Sequence, residues 1–401
     1  MTYRLFVSTG EVSGDLQGSL LVSALRRQAE ARQLDLEIVA LGGDRMARAG
    51  ASLLGNTTTI SSIGLWEAIP YIWPTWRMQR RVKRFLRRNP PDGVVLIDYM
   101  GPNISWGNLL RQQSKQLPII YYIAPQEWVW SFGDGNTTQM VGFSDLIQAV
   151  FPGEARYYAS KGAKVSWVGH PLLDLLAERP SREQARRELG LADDTPAVAL
   201  FPASRQQELR YLMPAMFEAA ARLQQQIPQI EFLVPLSQPR FRAQVAAAIR
   251  QYGLQARILE GQSYTIQAAA DLAIAKSGTV NLELALQQVP QVVIYRVGRV
   301  TAWVAQHVLR FSIPFMSPPN LINMEAVVPE LLQDEASAER IYQEAYSLLT
   351  DRERLRTVQE GYTRMRSALG EPGVCDRAAN EILDLMVERR ASTAGAAPGP
   401  A

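Results

Sequence analysis

Cysteine and histidine are nearly missing from this chain: Cys375 is its one cysteine, and His170 and His307 are its two histidines. A single thiol excludes a disulfide within the chain, and three such residues are too few for a Cys/His zinc cluster. No Asp-x-Asp stands at the end of an apolar run to hold magnesium, so neither a metal nor a cofactor is expected. Uninterrupted apolar runs of the ~18 residues that span a bilayer are lacking too. The opening MTYRLFVSTGEVSGD reaches Gly, Glu and Asp before a signal-like apolar stretch develops, which suggests a cytosolic protein with no leader. Charge of one sign is also scarce: a net charge of +3 over 401 residues excludes a general nucleic-acid coat but leaves room for local basic patches.

What the chain does have is alternation. At ~150 residues per domain its length suggests two domains, and short apolar runs alternate with helical periodicity through both halves. The first half reads as strands at Tyr3–Ser8, Leu36–Gly43, Gly93–Asp98, Pro118–Pro125, Leu146–Phe151 and Val165–Val168. After a linker at Glu178–Ser181, the second half has strands at Ala197–Phe201, Glu231–Pro235, Arg257–Leu259, Leu272–Ala275 and Gln291–Tyr295. Helices are expected over Leu16–Arg32, Asp44–Gly50, Tyr71–Arg88, Arg182–Leu191, Glu208–Gln225, Phe241–Tyr252, Val280–Leu286 and Thr301–Arg310. Ser61–Ile69 and Phe311–Asn320 read as loops, and Val327–Leu332 as the start of an all-helical end running to Arg390. Two successive βαβα blocks predict an α/β protein of two doubly wound parallel sheets facing across a cleft lined by strand-end loops. The boundaries expected are 1–178, 182–370, a C-terminal helix 371–390 and a disordered Ala/Gly/Pro-rich tail 391–401.

The centre of the second half is Asp271–Leu286, DLAIAKSGTVNLELAL, a strand, a small-residue turn and a helix. A helix opening on Ser277-Gly278-Thr279 offers free backbone N–H groups, two hydroxyls and the positive end of the helix dipole, which suits a phosphate. One turn further in, the Glu283 carboxylate is placed to accept from a ribose. The plainer reading is a βα junction whose hydroxyls merely cap the helix. Phe201-Pro202-Ala203-Ser204-Arg205 adds a guanidinium at another strand end. A guanidinium and a helix N-terminus converging on one ligand would neutralise a departing diphosphate without metal.

In the first half, Thr9-Gly10-Glu11-Val12-Ser13-Gly14-Asp15 lacks the three-glycine spacing of a dinucleotide fingerprint and puts Glu11 where a pyrophosphate would approach, which excludes NAD. Asp98 closes an all-apolar strand, where ligands of open α/β sheets gather; its alternative reading is a turn residue for Gly101-Pro102-Asn103. Asp98 and Glu11 are the candidate bases. The aromatic loop Gln126-Glu127-Trp128-Val129-Trp130 is costly to leave exposed without a purpose. His170 reads as a turn histidine bonded to backbone more readily than as a base. Tyr71–Arg88 sets Trp73, Trp76, Met78, Val82, Phe85 and Leu86 against Arg77, Arg80, Arg81, Lys83, Arg84, Arg87 and Arg88. That pattern fits an interfacial helix beside anionic head groups, or a solvated helix packed on its own sheet.

In order and spacing these pieces resemble the lipid-A-disaccharide synthase family, inverting glycosyltransferases of the two-domain GT-B architecture. The likeness runs to about Arg390. It rests on Gly10-Glu11-x-Ser13-Gly14-Asp15, Gly42-Gly43-Asp44-Arg45-Met46, Ile63-Gly64-Leu65-x-Glu67, Ile97-Asp98, Tyr122-x-x-Pro125-x-x-Trp128-x-Trp130 and Val168-Gly169-His170-Pro171. In the second half it rests on Phe201-Pro202-x-Ser204-Arg205-x-x-Glu208, Ser277-Gly278-Thr279-x-x-Leu282-Glu283, Pro319-Asn320-Leu321 and Val328-Pro329-Glu330-Leu331-Leu332-Gln333.

The resemblance implies two Rossmann-like domains, an acceptor-side one followed by a UDP-sugar-binding one. It implies transfer of 2,3-diacylglucosamine from UDP to the 6-hydroxyl of 2,3-diacylglucosamine 1-phosphate, releasing UDP and making a β-1,6 disaccharide. Carried onto this sequence, it makes Asp98 the general base, with Glu11 beside it; Ser13, Gly14, Asn103 and Trp128 fall on the acceptor side. Arg205, Ser277, Gly278, Thr279 and Glu283 fall on the UDP side, with Asn320, Glu330 and Gln333 as further donor contacts. It also implies a peripheral protein on the cytoplasmic face of the inner membrane, touching lipid through Trp73, Trp76, Arg77, Arg80 and Arg81, and the apolar C-terminal helices leave room for a homodimer. Gly101 stands where the family motif carries a second carboxylate, and Ser131–Asn136 lacks the family's cations. Those departures favour, as alternatives, a diverged transferase using a UDP-amino-sugar on another lipid acceptor, or a binding protein without catalysis.

Overall fold

In the computed structural model, which describes residues 2–58, 65–131, 133–177, 179–202, 206–236, 238–298 and 313–395, the chain divides into two compact units. One comprises Met1–Leu175 with Leu369–Ala401, and the other Leu176–Ala368.

The first unit is built on seven parallel strands, β1 (Tyr3–Ser8), β2 (Leu36–Gly42), β3 (Ser52–Asn56), β4 (Gly93–Ile97), β5 (Ile119–Tyr122), β6 (Leu146–Ala149) and β7 (Val165–Trp167). Their order in the sheet is β3-β2-β1-β4-β5-β6-β7. Phe6 pairs in register with Val39 on one side and Val94 on the other. All five residues of β4 are buried, as a strand covered on both faces requires, and this is why it reads as GVVLI rather than as an alternation. The order of strands reverses between β1 and β4. Their following loops therefore run in opposite directions and leave a crevice at the carboxyl ends, the place where open α/β sheets bind ligands.

The second unit repeats this plan. Its strands β8 (Ala197–Phe201), β9 (Glu231–Leu236), β10 (Ala256–Glu260), β11 (Leu272–Lys276), β12 (Gln291–Tyr295) and β13 (Glu330–Leu332) lie in the order β10-β9-β8-β11-β12-β13, with the reversal between β8 and β11. Both units are thus doubly wound parallel α/β sheets.

Several elements differ from expectation. The first helix covers Val12–Ala31 rather than starting at Leu16. Its first turn lies so close to the end of β1 that a Cβ at Gly14 would stand 1.9 Å from Thr9 Oγ1, so any side chain here would force Thr9 to move. The basic helix covers Leu65–Arg88 and takes up residues expected in a loop. Pro318–Asn323 is helical rather than loop. Strand β3 was not anticipated, and β13 occupies residues expected to open a helical end, because each is a short, incompletely buried strand at a sheet edge. The helix expected at Thr301–Arg310 lies outside the described residues.

The last helix, Val374–Gly395, belongs to the first unit and runs past its expected end at Arg390. It buries Ala378, Ala379, Ile382, Leu383 and Met386. Its start is held by Asp174, whose carboxylate accepts from the backbone N–H groups of Gly373 (2.6 Å), Val374 (3.1 Å) and Cys375 (2.8 Å).

Candidate active site

At the β1/β4 reversal, Asp98 and Tyr99 follow β4 with φ of 45° and 49°. Two successive non-glycine residues in the left-handed region carry strain that the surroundings must hold. Asn103, wholly buried in the helix Met100–Gln113, supplies that hold. Its amide donates to Ile97 O (3.0 Å) and Asp98 O (2.8 Å), and its carbonyl oxygen accepts from Ser8 Oγ (2.7 Å), tying β1 to β4. Tyr121 Oη also donates to Asp98 O, at 2.8 Å. On the other side, a Cβ at Gly10 would lie 2.2 Å from the Tyr99 ring, so glycine makes room for that ring.

The consequence falls on the Asp98 carboxyl. Burial, and then the negative charge of Glu11, raise its pKa from 3.8 to about 6, against a backbone hydrogen bond from Tyr99 that lowers it. A carboxylate poised there is a suitable general base near neutral pH. Glu11 and Ser13 are half-buried and Gly14 is buried at the start of the helix beside it. Asp15, in the same motif, faces away: its carboxylate accepts from Gly43 N (2.8 Å), Arg45 N (3.2 Å) and Met46 N (3.1 Å) and so caps the helix Asp44–Arg48.

The aromatic loop is anchored from below. Glu127 is buried and accepts from Asn136 Nδ2 (3.0 Å) and Thr137 Oγ1 (2.7 Å). Trp128 packs against Phe151 at 5.8 Å, and a Cβ at Gly153 would stand 2.9 Å from its ring. Glu154 joins the segments after β5 and β6, accepting from Ala124 N (2.8 Å) and Val150 N (2.9 Å), and burial raises its pKa to about 8. His170 is buried, its pKa lowered to about 3 by desolvation, and its Nδ1 accepts from Leu172 N at 3.2 Å. It is therefore a neutral turn histidine, as the sequence suggested.

Along Leu65–Arg88 the expected apolar face divides. Val82 and Leu86 are buried in the core with Met78 and Phe85 packed against it, whereas Trp73 and Trp76 are 62% and 41% exposed. The two indoles stack at 5.0 Å, and the Arg80 guanidinium lies 4.1 Å over Trp76. Arg77, Arg80 and Arg81 are exposed. No helix among the described residues is long and apolar enough to cross a membrane.

The second unit places Ser277, Gly278 and Thr279 at the β8/β11 reversal, directly after β11. Gly278 N is not left open as expected: it donates to Asn281 Oδ1 at 2.7 Å, and Asn281 is held in turn by Gln291 Oε1 at 2.8 Å. Asn281 thus shapes the turn. Lys276 pairs with Glu208 at 3.0 Å. Ser277 Oγ donates to Met316 O at 2.9 Å, and Met316 N to Glu330 at 2.8 Å. Glu330 also accepts from Ser317 N and from Asn320 Nδ2, both at 2.8 Å, while Asn320 Oδ1 accepts from Val327 N and Val328 N, each at 2.8 Å. Asn320 and Glu330 therefore build the segment on which the turn rests. Gln333, with φ 51°, accepts at its carbonyl from Arg296 Nε at 3.0 Å. Glu283 is 8% exposed and accepts from Gln267 Nε2 at 2.8 Å. Arg205 and Ser204 lie outside the described residues. Tyr121, Asn281 and Gln267 have roles that sequence reading did not assign. Asn281 was visible as a polar residue in an apolar helix, while Tyr121 and Gln267 carried no local signal.

The architecture matches solved structures of UDP-sugar enzymes. The S. aureus MnaA–UDP co-structure superposes with a TM-score of 0.65 over 96% of this chain and 97% of that one, at 16% identity. The UDP-GlcNAc 2-epimerase from Neisseria meningitidis bound to UDP-GlcNAc gives 0.57 over 97% and 100%, at 12% identity. At such identities the likeness is one of fold. Sequence relationship is much nearer elsewhere. Lipid-A-disaccharide synthase of Gloeothece citriformis is 55% identical over 96% of this chain and 100% of its own length. That of Prochlorococcus marinus is 54% identical over 95% and 99%. The model of the lipid-A-disaccharide synthetase family matches residues 5–384. The chain belongs to the lipid-A-disaccharide synthase family.

Proposed function

We propose that this chain condenses UDP-2,3-diacylglucosamine with 2,3-diacylglucosamine 1-phosphate, forming the β-1,6 disaccharide 1-phosphate and UDP, with Asp98 as general base. The observation that carries the assignment of the base is the Asp98 carboxyl, raised to about 6 on a turn at the end of β4 whose backbone carbonyl, that of Asp98, accepts from Asn103 and Tyr121. In the transfer, the acceptor 6-hydroxyl oxygen bonds to the anomeric carbon as the bond from that carbon to the UDP oxygen breaks. The hydroxyl proton goes to Asp98, the electron pair leaves with UDP, and configuration inverts. On the donor side, Ser277, Gly278, Thr279, Glu283 and Gln333 serve the UDP-sugar with Arg205, on a floor built by Asn320 and Glu330. Glu11, Ser13, Gly14 and Trp128 serve the acceptor.

Both substrates carry acyl chains, so the protein works as a peripheral protein at the cytoplasmic face of the inner membrane. The exposed Trp73–Trp76 stack with Arg77, Arg80 and Arg81 supports that placement. Gly101 favours a second reading, in which the acceptor is a different lipid. Among the described residues a Cβ there would meet nothing within 4 Å, so the position is open beside the Asp98 turn.

Release of UDP by the purified protein in detergent and EDTA tests the reading. Release from UDP-2,3-diacylglucosamine that depends on 2,3-diacylglucosamine 1-phosphate and yields a disaccharide is the expected result. Tight UDP binding with no release under those conditions counts against this acceptor.

A further inference from the structure

We infer that Gln267 is a positioning residue that sets nucleotide selectivity, by holding the Glu283 carboxylate toward the ribose hydroxyls of the bound nucleotide; this rests on the donor-side reading of Glu283 given above. Gln267 lies in the helix Ser263–Ala269 and is completely buried. Its Nε2 donates to Glu283 Oε2 at 2.8 Å, and its Oε1 accepts from Gln287 Nε2 at 2.7 Å. The same Gln287 nitrogen donates to Glu283 O at 3.2 Å, so three side chains and one carbonyl form a closed ring. That ring fixes the direction of the Gln267 amide: with its oxygen taken by Gln287, its NH2 faces the carboxylate.

A packing role alone does not account for an amide here. The neighbours of Gln267 in its helix, Ile266, Ala268 and Ala269, are part of an apolar core, and an aliphatic side chain would fill the same space without desolvating an amide. What the amide adds is direction on an anion. Glu283 stands one turn inside the helix Thr279–Leu286, which opens at the β8/β11 reversal, and is itself 8% exposed. A carboxylate with its rotamer fixed in a largely dry setting presents its oxygens in one direction, which makes hydroxyl recognition specific.

The test is calorimetric titration of the full chain with UDP, 2′-deoxy-UDP and 3′-deoxy-UDP. The natural protein is expected to bind UDP about 10-fold or more tightly than at least one deoxy analogue. Gln267→Met keeps the side-chain volume and removes the amide. It is expected to reduce that ratio at least ~3-fold while the affinity for the deoxy analogue stays within about 2-fold, since a loosened fold would weaken all three ligands alike. Gln287→Met removes the residue that orients the amide and is expected to act in the same direction with a smaller effect; it also serves if Gln267→Met does not fold. An unchanged ratio in the folded variants, with Glu283→Gln abolishing discrimination, overturns the inference and leaves the ribose contact standing. A natural protein that does not discriminate, or Glu283→Gln with the natural ratio, overturns the ribose contact and the inference with it.

Discussion

Asp98 shows how backbone geometry and acid–base chemistry are joined in one residue. Its left-handed φ and that of Tyr99 are held by Asn103 and Tyr121, and the turn so formed keeps the carboxyl half-buried near Glu11. The shift has two consequences of opposite sign. For catalysis, the proposed base must be ionised, so turnover is expected to rise with pH through an acid limb near 6. For stability, the folded protein binds a proton between pH 3.8 and about 6 that the unfolded chain has released, so this residue's contribution falls as pH rises through that window. Asp98→Asn should therefore abolish acceptor-dependent UDP release, keep UDP binding, and raise stability at pH 7 by ~1–3 kcal/mol. Thermal unfolding at pH 4 and pH 7 checks the second part, since the gain should shrink at the lower pH. A variant that still turns over would remove Asp98 as the base.

At the scale of elements, Leu65–Arg88 shows what the sequence carried and what was misread. Val82 and Leu86, with Met78 and Phe85, share one side, while Trp73 and Trp76 lie about 140–160° round the helix from Met78 at ~100° per residue. Amino-acid type put all six on one apolar face, whereas position already separated them. The alternation of strands and helices was legible because strands such as β4 are buried throughout and read as continuous apolar runs. β3 and β13 were not, because short edge strands with partly exposed residues lack that contrast. The end-of-strand position of Asp98 and the Ser277–Thr279 turn were legible for the same reason as β4. The partners that hold them, Tyr121 from β5 for Asp98 and Met316 O for Ser277, meet them only through the fold. The division of the basic helix makes a prediction in two parts. Trp73→Ser/Trp76→Ser should lower co-sedimentation with anionic vesicles several-fold and leave the unfolding temperature nearly unchanged, as these side chains are exposed. Leu86→Ala should instead cost about 2–5 kcal/mol of stability. Equal vesicle binding by the double variant would count against lipid contact.

Over the whole molecule, the order of the chain and the order of its units differ. The final helix leaves the second unit and completes the first, so a segment more than 350 residues from β1 in sequence, counted from Tyr3 to Val374, is part of the core that surrounds it. Arg32 bonds to Asp384 and Asn380, each at 2.6 Å, and Gln148 in β6 donates to Ala378 O at 3.0 Å. Met386 passes so close to the first residue of β4 that a Cβ at Gly93 would stand 2.8 Å from it. The partly exposed ion pair among these contacts, Arg32–Asp384, contributes little, so the apolar face of Ala378, Ala379, Ile382, Leu383 and Met386 must provide most of the attachment. Ile382 is completely buried, and Ile382→Asp puts an unpaired carboxylate there, at a cost of ~4 kcal/mol or more. Because the helix is integral to the first unit, hydrogen exchange of the full chain should show lost protection in β1, β4 and β6, hundreds of residues away, while β8 and β11 keep theirs. Protection lost only within Val374–Gly395 would mean that the helix is an appendage and that the first unit's sheet is stable without it.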